Sequence, residues 1–226
     1  SVRAPSAIRL CLYSYQMAGS RCAPSMTRSR KSADKFAKEV LDRGGIVADE
    51  DVLAALRLWR FKKNTARANV MQENQHYVLS ETMGIVCSRD GRLLLSKATK
   101  EHPAFMSLLC LWVQQHRPPM LQRPFAFTSI SMNCNYNARI HRDGNNAGPS
   151  LTRALGEFTG GELEYWPDDD GEVLLDALPP SAADVLETGK GFAIFDGRRA
   201  HVTSLVHCLA QAPLFYDARR ELRMHF

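Results

Sequence analysis

Two histidines and one aspartate of this chain have the types and spacing of a metal site. His141 and Asp143 stand two residues apart, at the end of a stretch that alternates polar and apolar residues from Ser129 to Ile140. Such alternation is the period of a β-strand, so we expect both side chains on the same side of one strand. His201, 60 residues after His141, follows an apolar run and a turn. Two imidazoles and one carboxylate form the facial set that leaves three positions of an octahedral Fe(II) open.

His207 is an alternative third ligand, because it lies only six residues after His201. It lacks the Phe195-Asp196-Gly197 turn that precedes His201, so His201 is the preferred candidate. A His-x-Asp pair alone is weak evidence for a metal site, and the surrounding sequence must decide. No partner at a ligand spacing is found for the other histidines, which receive no role: His76, His102, His116 and His225.

Several motifs around these residues, in the same order, resemble the 2-oxoglutarate- and Fe(II)-dependent oxygenase superfamily. They are Asn133-x-Asn135-Tyr136, His141-x-Asp143-x-x-Asn146-x-Gly148-x-Ser150, Gly160-Gly161-Glu162-Leu163, and Phe195-Asp196-Gly197 before His201. Within the superfamily, the chain is most similar to the branch of the ten-eleven translocation and J-binding-protein hydroxylases. The resemblance covers about the C-terminal half, from Phe125 onward, with weaker similarity from Met83.

The resemblance implies a fold, three cofactors and a set of ligands. The fold is a double-stranded β-helix, and the iron ligands are His141, Asp143 and His201. The cofactors are Fe(II), 2-oxoglutarate as co-substrate, and O2. In this superfamily 2-oxoglutarate chelates the iron, and an Arg near the chain end binds its distal carboxylate.

The position of that Arg departs from the family pattern, because the segment HCLAQAPLFYDA makes the interval after His201 longer than in relatives. Arg220 is favoured, since the ending RELRMHF resembles the last strand of the family with its Arg first. Arg219 and Arg223 stay open as alternatives.

Two asparagines are further candidates for cofactor binding. Asn133 and Asn135 share the strand phase of His141, so they are placed to hydrogen-bond 2-oxoglutarate or to orient the metal ligands. A solvent-facing position is the alternative for both. Tyr136 has the opposite phase, which predicts packing instead.

The elements around this strand predict an α+β protein. Amphipathic patterns predict two helices between Asp34 and Trp59, split at Gly44-Gly45. The other predicted elements are a hairpin over Met83–Ser96 turning at Arg89-Asp90-Gly91, a buried helix over Phe105–Gln115, and a solvated turn at Asp168-Asp169-Asp170-Gly171. This order indicates helices packed outside a β-helical core, here a double-stranded β-helix (jelly-roll) with packed N-terminal helices.

Length and composition indicate one main domain. With 226 residues and 45% hydrophobic content, the chain can bury one sizeable core. Residues 1–33 contain six basic residues and no acid, which is typical of a flexible arm or an organelle-targeting segment. Residues 34–226 are predicted to form a single oxygenase-like domain, with a helical elaboration over 34–120 and the β-helix core over 77–226.

Basic charge is concentrated in the N-terminal part of the chain. Through Gln72 there are 14 Lys and Arg against six Asp and Glu, an excess larger than the net charge of +5 for the whole chain. Such a segment can steer a nucleic acid toward the site. The alternative is an ordinary solvated helical surface.

Composition also bears on the cellular setting. Six cysteines lack the paired spacing of a zinc site and the density of a small secreted scaffold, so reduced thiols are expected. No apolar stretch is long enough to span a bilayer, and no membrane partner is expected. These features favour an intracellular protein of the nucleus, the cytoplasm or an organelle, and they leave the oligomeric state open.

Three function classes follow from these observations. The first is a hydroxylase of a base in nucleic acid, such as a 5-methylpyrimidine. The second is a hydroxylase of protein side chains (prolyl-type) or of small molecules, which the same iron site would serve equally well. The third is a catalytically inactive β-helix that acts as a binding module, which the displaced Arg permits.

Overall fold

The computed structural model describes residues 9–14, 25–88, 90–121, 126–144, 146, 148–204 and 206–208. In this part of the chain the helices are α1 (Met26–Arg43), α2 (Asp49–Leu58), α3 (Lys97–Glu101) and α4 (Pro103–His116). The strands are β1 (Arg9–Ser14), β2 (Lys63–Asn64), β3 (Val78–Cys87), β4 (Leu93–Leu95), β5 (Ser129–Cys134), β6 (Ala138–His141), β7 (Ser150–Leu155), β8 (Phe158–Gly160), β9 (Leu163–Tyr165), β10 (Asp184–Leu186), β11 (Ala193–Phe195), β12 (His201–Thr203) and β13 (Val206–Cys208).

The strands form two main sheets. The larger sheet has the order β11-β7-β1-β5-β3-β2, and β4 extends it by pairing with β3. The smaller sheet has the order β10-β9-β12-β6, while β13 and β8 pair separately. Strand β1 is parallel to β5 and β7, and the other pairs among the described strands are antiparallel. The α+β class predicted from the order of elements is therefore confirmed.

One face of the larger sheet packs against helices α1, α2 and α4. Met83, Ile130, Met132 and Leu151 are fully buried on this face, in one cluster with the helices. Burying a side chain of this size stabilises a fold by roughly 1.5–3 kcal/mol, so this layer is the main apolar core. The largest aromatic side chains of the same cluster are Trp59, Phe105 and Trp112.

The opposite face of the larger sheet is polar and buried. In β5, Ser131 and Asn133 alternate with Ile130 and Met132, and both polar side chains are almost fully buried. Thr152 of β7 lies on this polar face as well, and it lines a pocket together with Asn133 and residues of the smaller sheet. The pocket therefore lies across the larger sheet from the helices.

Helix α1 begins earlier than the sequence predicts. It starts at Met26 rather than near Asp34, because the Ser25 hydroxyl caps it by accepting the N–H of Arg28 at 3.3 Å. The predicted split is confirmed, since α1 ends at Arg43 and is followed by Gly44, whose φ of +71° suits glycine. The described part of residues 1–33 contributes β1 and the start of α1.

The predicted hairpin and buried helix are confirmed. Strands β3 and β4 pair antiparallel, and α4 buries Phe105, Leu108 and Trp112. At Gly84, β3 changes its pairing partner from β5 to β4: its φ is +97°, and a Cβ there would overlap the Thr128 carbonyl. In the part of the chain that the structure describes, no helix is long and apolar enough to cross a membrane.

The single long strand predicted between Ser129 and His141 is wrong. Strand β5 ends at Cys134, and Asn135 takes a left-handed conformation with φ +46°. Asn is one of the few residues other than glycine that tolerate this conformation, so it can end a strand with a sharp turn. Strand β6 then begins at Ala138 in the smaller sheet, so β5 and β6 lie in different sheets.

Candidate metal centre

His141 and His201 face each other across two neighbouring strands. Strands β6 and β12 pair antiparallel with the two histidines in register, and their ring centroids are 4.2 Å apart. Asp143 lies two residues beyond the end of β6, where its backbone N–H donates to the Gly197 carbonyl at 2.7 Å. One potential ligand atom from each of the three residues lies within 4.8 Å of the others. The strand pairing therefore forms a group that can hold a metal ion.

Both imidazoles are oriented by the same type of hydrogen bond. His141 Nδ1 lies 2.8 Å from the Arg139 carbonyl, and His201 Nδ1 lies 2.9 Å from the Arg199 carbonyl. A carbonyl oxygen only accepts, so each Nδ1 carries a proton and donates it. Each Nε2 then keeps its lone pair, which is the state required of a metal ligand.

The electrostatics of the site favour neutral imidazole. Burial and the neighbouring His201 lower the pKa of His141 to about 4, although the Arg139 carbonyl and Asp143 act in the opposite direction. His141 is only 7% exposed and His201 only 5%. At neutral pH His141 is therefore uncharged and does not need to lose a proton to bind a metal.

The loop after Asp143 packs on the turn before His201. Asn146 Nδ2 donates to Ser150 Oγ at 2.8 Å, and its backbone N–H donates to the Asp143 carbonyl at 3.0 Å. A Cβ at Gly197 would overlap the Asn146 amide and come within 2.9 Å of Ser150 Oγ. The absence of a side chain at 197 thus allows the loop with Asp143 to approach the turn closely.

Asp169 joins the two segments that contain the ligands. Its carboxylate accepts two hydrogen bonds from Arg142, at 2.6 and 2.7 Å, and one from the Ala200 backbone N–H at 2.6 Å. Arg142 lies between His141 and Asp143 in the chain, and Ala200 directly precedes His201. The predicted solvated turn is therefore wrong at Asp169, whose side chain is fully buried. Its two neighbours in the acidic run, Asp168 and Asp170, are exposed.

Arg67, Asn133 and Tyr136 form part of the wall of the pocket that contains the ligand histidines. All three line the same pocket as His141, Asp143 and His201. Arg67 Nη1 donates to Asn133 Oδ1 at 3.3 Å, and its guanidinium lies 5.5 Å from the centre of the Tyr136 ring. Arg67 has no signal in the sequence, because it lies between β2 and β3 in a segment with no periodic pattern.

The structure places only some of the other predicted site residues in the pocket. Asn133 is in the pocket, whereas Asn135 is exposed at the turn between β5 and β6, so the strand phase predicted for Asn135 is wrong. Tyr136 is buried in a small core cluster, as predicted. His207 lies in β13, which pairs with β8 and not with β6 or β12. The predicted cofactor residues Arg219 and Arg220, and the alternative Arg223, lie outside the described residues.

Comparison with known proteins adds no family to these observations. No family model, no curated protein and no solved structure matches this chain. The geometry of the His141, Asp143 and His201 group is therefore the main evidence on function.

Proposed function

We propose that this protein is a 2-oxoglutarate- and Fe(II)-dependent dioxygenase that hydroxylates a C–H bond. The main support is the close group of His141, Asp143 and His201, with both imidazoles hydrogen-bonded through Nδ1. The proposal includes a double-stranded β-helix, for which two facing, mainly antiparallel sheets around the site are the support.

The donor set fits iron of this type. Two imidazole nitrogens and one carboxylate oxygen would occupy three positions of an octahedral ion and leave three for a chelating 2-oxo acid and oxygen. When bound, Fe(II) with 2-oxoglutarate and O2 supplies an oxidant that converts C–H to C–OH, while 2-oxoglutarate becomes succinate and CO2.

The residues of the chain orient this site and shield it from water. The carbonyls of Arg139 and Arg199 hold the two imidazoles in place. Phe195 is 6% exposed, and its ring meets His201 edge-on at 5.0 Å between centroids. Apolar walls of this kind exclude water from a reactive centre.

For the substrate, the geometry favours a protein side chain or a small molecule over a base in nucleic acid. The exposed cations Arg28, Lys31 and Lys35 lie on α1, which packs on the face of the larger sheet opposite the pocket. A polyanion bound there would lie across the sheet from the metal ligands. The 5-methylpyrimidine remains the second candidate, supported by the excess of basic residues through Gln72. Duplex DNA affinity that falls steeply with salt would support it, and absence of binding at low salt would remove it.

Succinate formation tests the proposed reaction. Anaerobic protein is titrated with Fe(II) and 2-oxoglutarate while their charge-transfer absorption is recorded, and succinate is then measured after O2 is admitted. We expect one equivalent of each to bind, and we expect His141→Ala to abolish both the absorption and the succinate. His76→Ala is the matched control, because His76 is exposed and outside the pocket.

Two outcomes would contradict the proposal. Succinate formation that is unchanged in His141→Ala would show that the assigned site is wrong. Wild-type protein that binds Fe(II) but not 2-oxoglutarate would instead support the third class, a binding module without oxygenase activity.

A further inference from the structure

The pocket contains a guanidinium whose charge is not neutralised by a described acid. Arg67 is half-buried, and its contacts are the hydrogen bond to Asn133 and the ring of Tyr136. No carboxylate among the described residues forms an ion pair with it, although most other half-buried or buried arginines near the site have one. Arg142, for example, pairs with Asp169, and Arg153 pairs with Asp49.

Asn133 provides a second donor at the same place. Its side chain is 1% exposed, and its Oδ1 is occupied by the hydrogen bond from Arg67. In the described part of the chain, no acceptor is within hydrogen-bonding distance of its Nδ2. A buried donor without an acceptor costs about 1–3 kcal/mol, so such a group is an indication of a ligand.

The position of this pair relative to the metal group defines the ligand. Arg67 and Asn133 line the same pocket as His141, Asp143 and His201. Among the residues that the structure describes, Asp143 is the one carboxylate that lines this pocket, and in the proposed function it is a metal ligand. Arg67 and Asn133 thus add N–H donors and a positive charge to this pocket, which together match a carboxylate.

We propose that Arg67 and Asn133 bind the distal carboxylate of 2-oxoglutarate, with its 2-oxo acid end on the metal. This inference rests on the proposed function, and it assigns to Arg67 the role that the sequence predicted for Arg220 or Arg219. The contact of Arg67 with Tyr136 holds the guanidinium plane in position, so less side-chain freedom is lost on binding.

The test compares two 2-oxo acids that differ in the distal carboxylate. 2-Oxoglutarate and pyruvate are titrated by calorimetry into Mn(II)-loaded protein, a measurement that needs no turnover. We expect Arg67→Gln to weaken the binding of 2-oxoglutarate by about 10- to 100-fold and the binding of pyruvate by less than about threefold. The reason is that only 2-oxoglutarate reaches the guanidinium. Asn133→Ala should also reduce the preference for 2-oxoglutarate over pyruvate. Arg67→Lys should keep part of this preference, because the charge is kept.

Pyruvate and two further variants serve as controls. Pyruvate affinity reports on the metal end of the site in each variant. A misfolded variant would lose affinity for both 2-oxo acids. If Arg67→Gln does so, Arg67→Lys takes its place in the comparison with wild type. Arg28→Gln removes an exposed cation of α1 and should change neither affinity. Arg220→Gln tests the competing assignment and should leave the preference for 2-oxoglutarate intact.

The failure of this inference differs from the failure of the proposed function. If Arg67→Gln keeps the wild-type preference and Arg220→Gln loses it, the carboxylate is bound by Arg220 and the inference is wrong, while the dioxygenase proposal stands. If wild-type protein binds Mn(II) but neither 2-oxo acid, the dioxygenase proposal fails and the inference fails with it.

Discussion

Replacement of Asp169 by Asn should weaken the metal site without removing a ligand. Asp169 is bound to Arg142 and to the backbone N–H of Ala200, so it connects the segment of His141 and Asp143 to the segment of His201. Asn keeps the shape of the side chain but removes its negative charge and one acceptor. Arg142, whose side chain is 21% exposed, would then lack its carboxylate partner.

The pKa of Asp169 gives the size of the effect on stability. The pKa of Asp169 is lowered from 3.8 to about 2. Hydrogen bonds from Arg142 are the largest cause, and the backbone N–H groups of Ala200 and Gly171 act in the same direction. A difference of this size corresponds to about 2 kcal/mol of stability at neutral pH. Loss of a residue that orients metal ligands typically weakens metal binding by about 10- to 100-fold, and we expect that loss here.

The effect on stability should depend on pH in a defined direction. The folded-state pKa is below the unfolded value, so the contribution is complete above about pH 4 and is lost as the pH falls toward about 2. Urea unfolding of metal-free protein should therefore show a difference between wild type and Asp169→Asn of about 2 kcal/mol at pH 7. That difference should shrink through the window from about pH 4 to about pH 2.

Asp168→Asn is the matched control, because it alters an exposed carboxylate in the same acidic run. Mn(II) affinity, measured by electron paramagnetic resonance, should change in Asp169→Asn and not in Asp168→Asn. Equal Mn(II) affinity and equal unfolding free energy in the two variants would refute the role of Asp169.

Two further predictions concern packing near the site and in the helical layer. Gly197→Ala places a Cβ against the Asn146 amide, so Mn(II) affinity should fall by about 10-fold or more; affinity equal to wild type would show that the loop adjusts freely. Glu81→Gln removes the charge that pairs with Arg30 at 2.5 Å, where the two side chains are 15% and 5% exposed. Loss of one partner of a buried pair costs about 3–5 kcal/mol, so urea unfolding should show a loss near 3 kcal/mol. Glu39→Gln breaks an exposed pair and should cost less than about 1 kcal/mol, and equal losses in the two variants would contradict the buried pair.

The local pattern of the sequence was sufficient to identify the metal group. His141 and Asp143 are separated by one residue, and His201 begins a short strand after the Phe195-Asp196-Gly197 turn, so local spacing and the turn before His201 gave the candidates. The helix boundary at Gly44 and the hairpin turn at Asp90-Gly91 also follow from local chemistry, because glycine at positive φ leaves a clear signal. Features determined within about ten residues could therefore be predicted.

The features that were missed depend on residues far apart in the chain. The burial of Asp169 is explained by Arg142, 27 positions earlier, and an acidic run alone indicates only a solvated turn. Arg67 reaches the pocket through Asn133, 66 positions later, and no local pattern indicates that contact. The break at Asn135 was hidden because the alternation of side chains continues across it, although the backbone changes sheets. Strand order and long-range ion pairs are set by the folded chain, and periodicity does not specify them.

A crystal grown with Mn(II) and measured at the manganese absorption edge tests the central claim most directly. We predict one anomalous peak per chain, bonded to Nε2 of His141, Nε2 of His201 and a carboxylate oxygen of Asp143. Metal–ligand distances of about 2.0–2.3 Å are expected for such donors. A peak bonded to other residues, or no peak at saturating Mn(II), would contradict the assignment of these three residues as a metal centre.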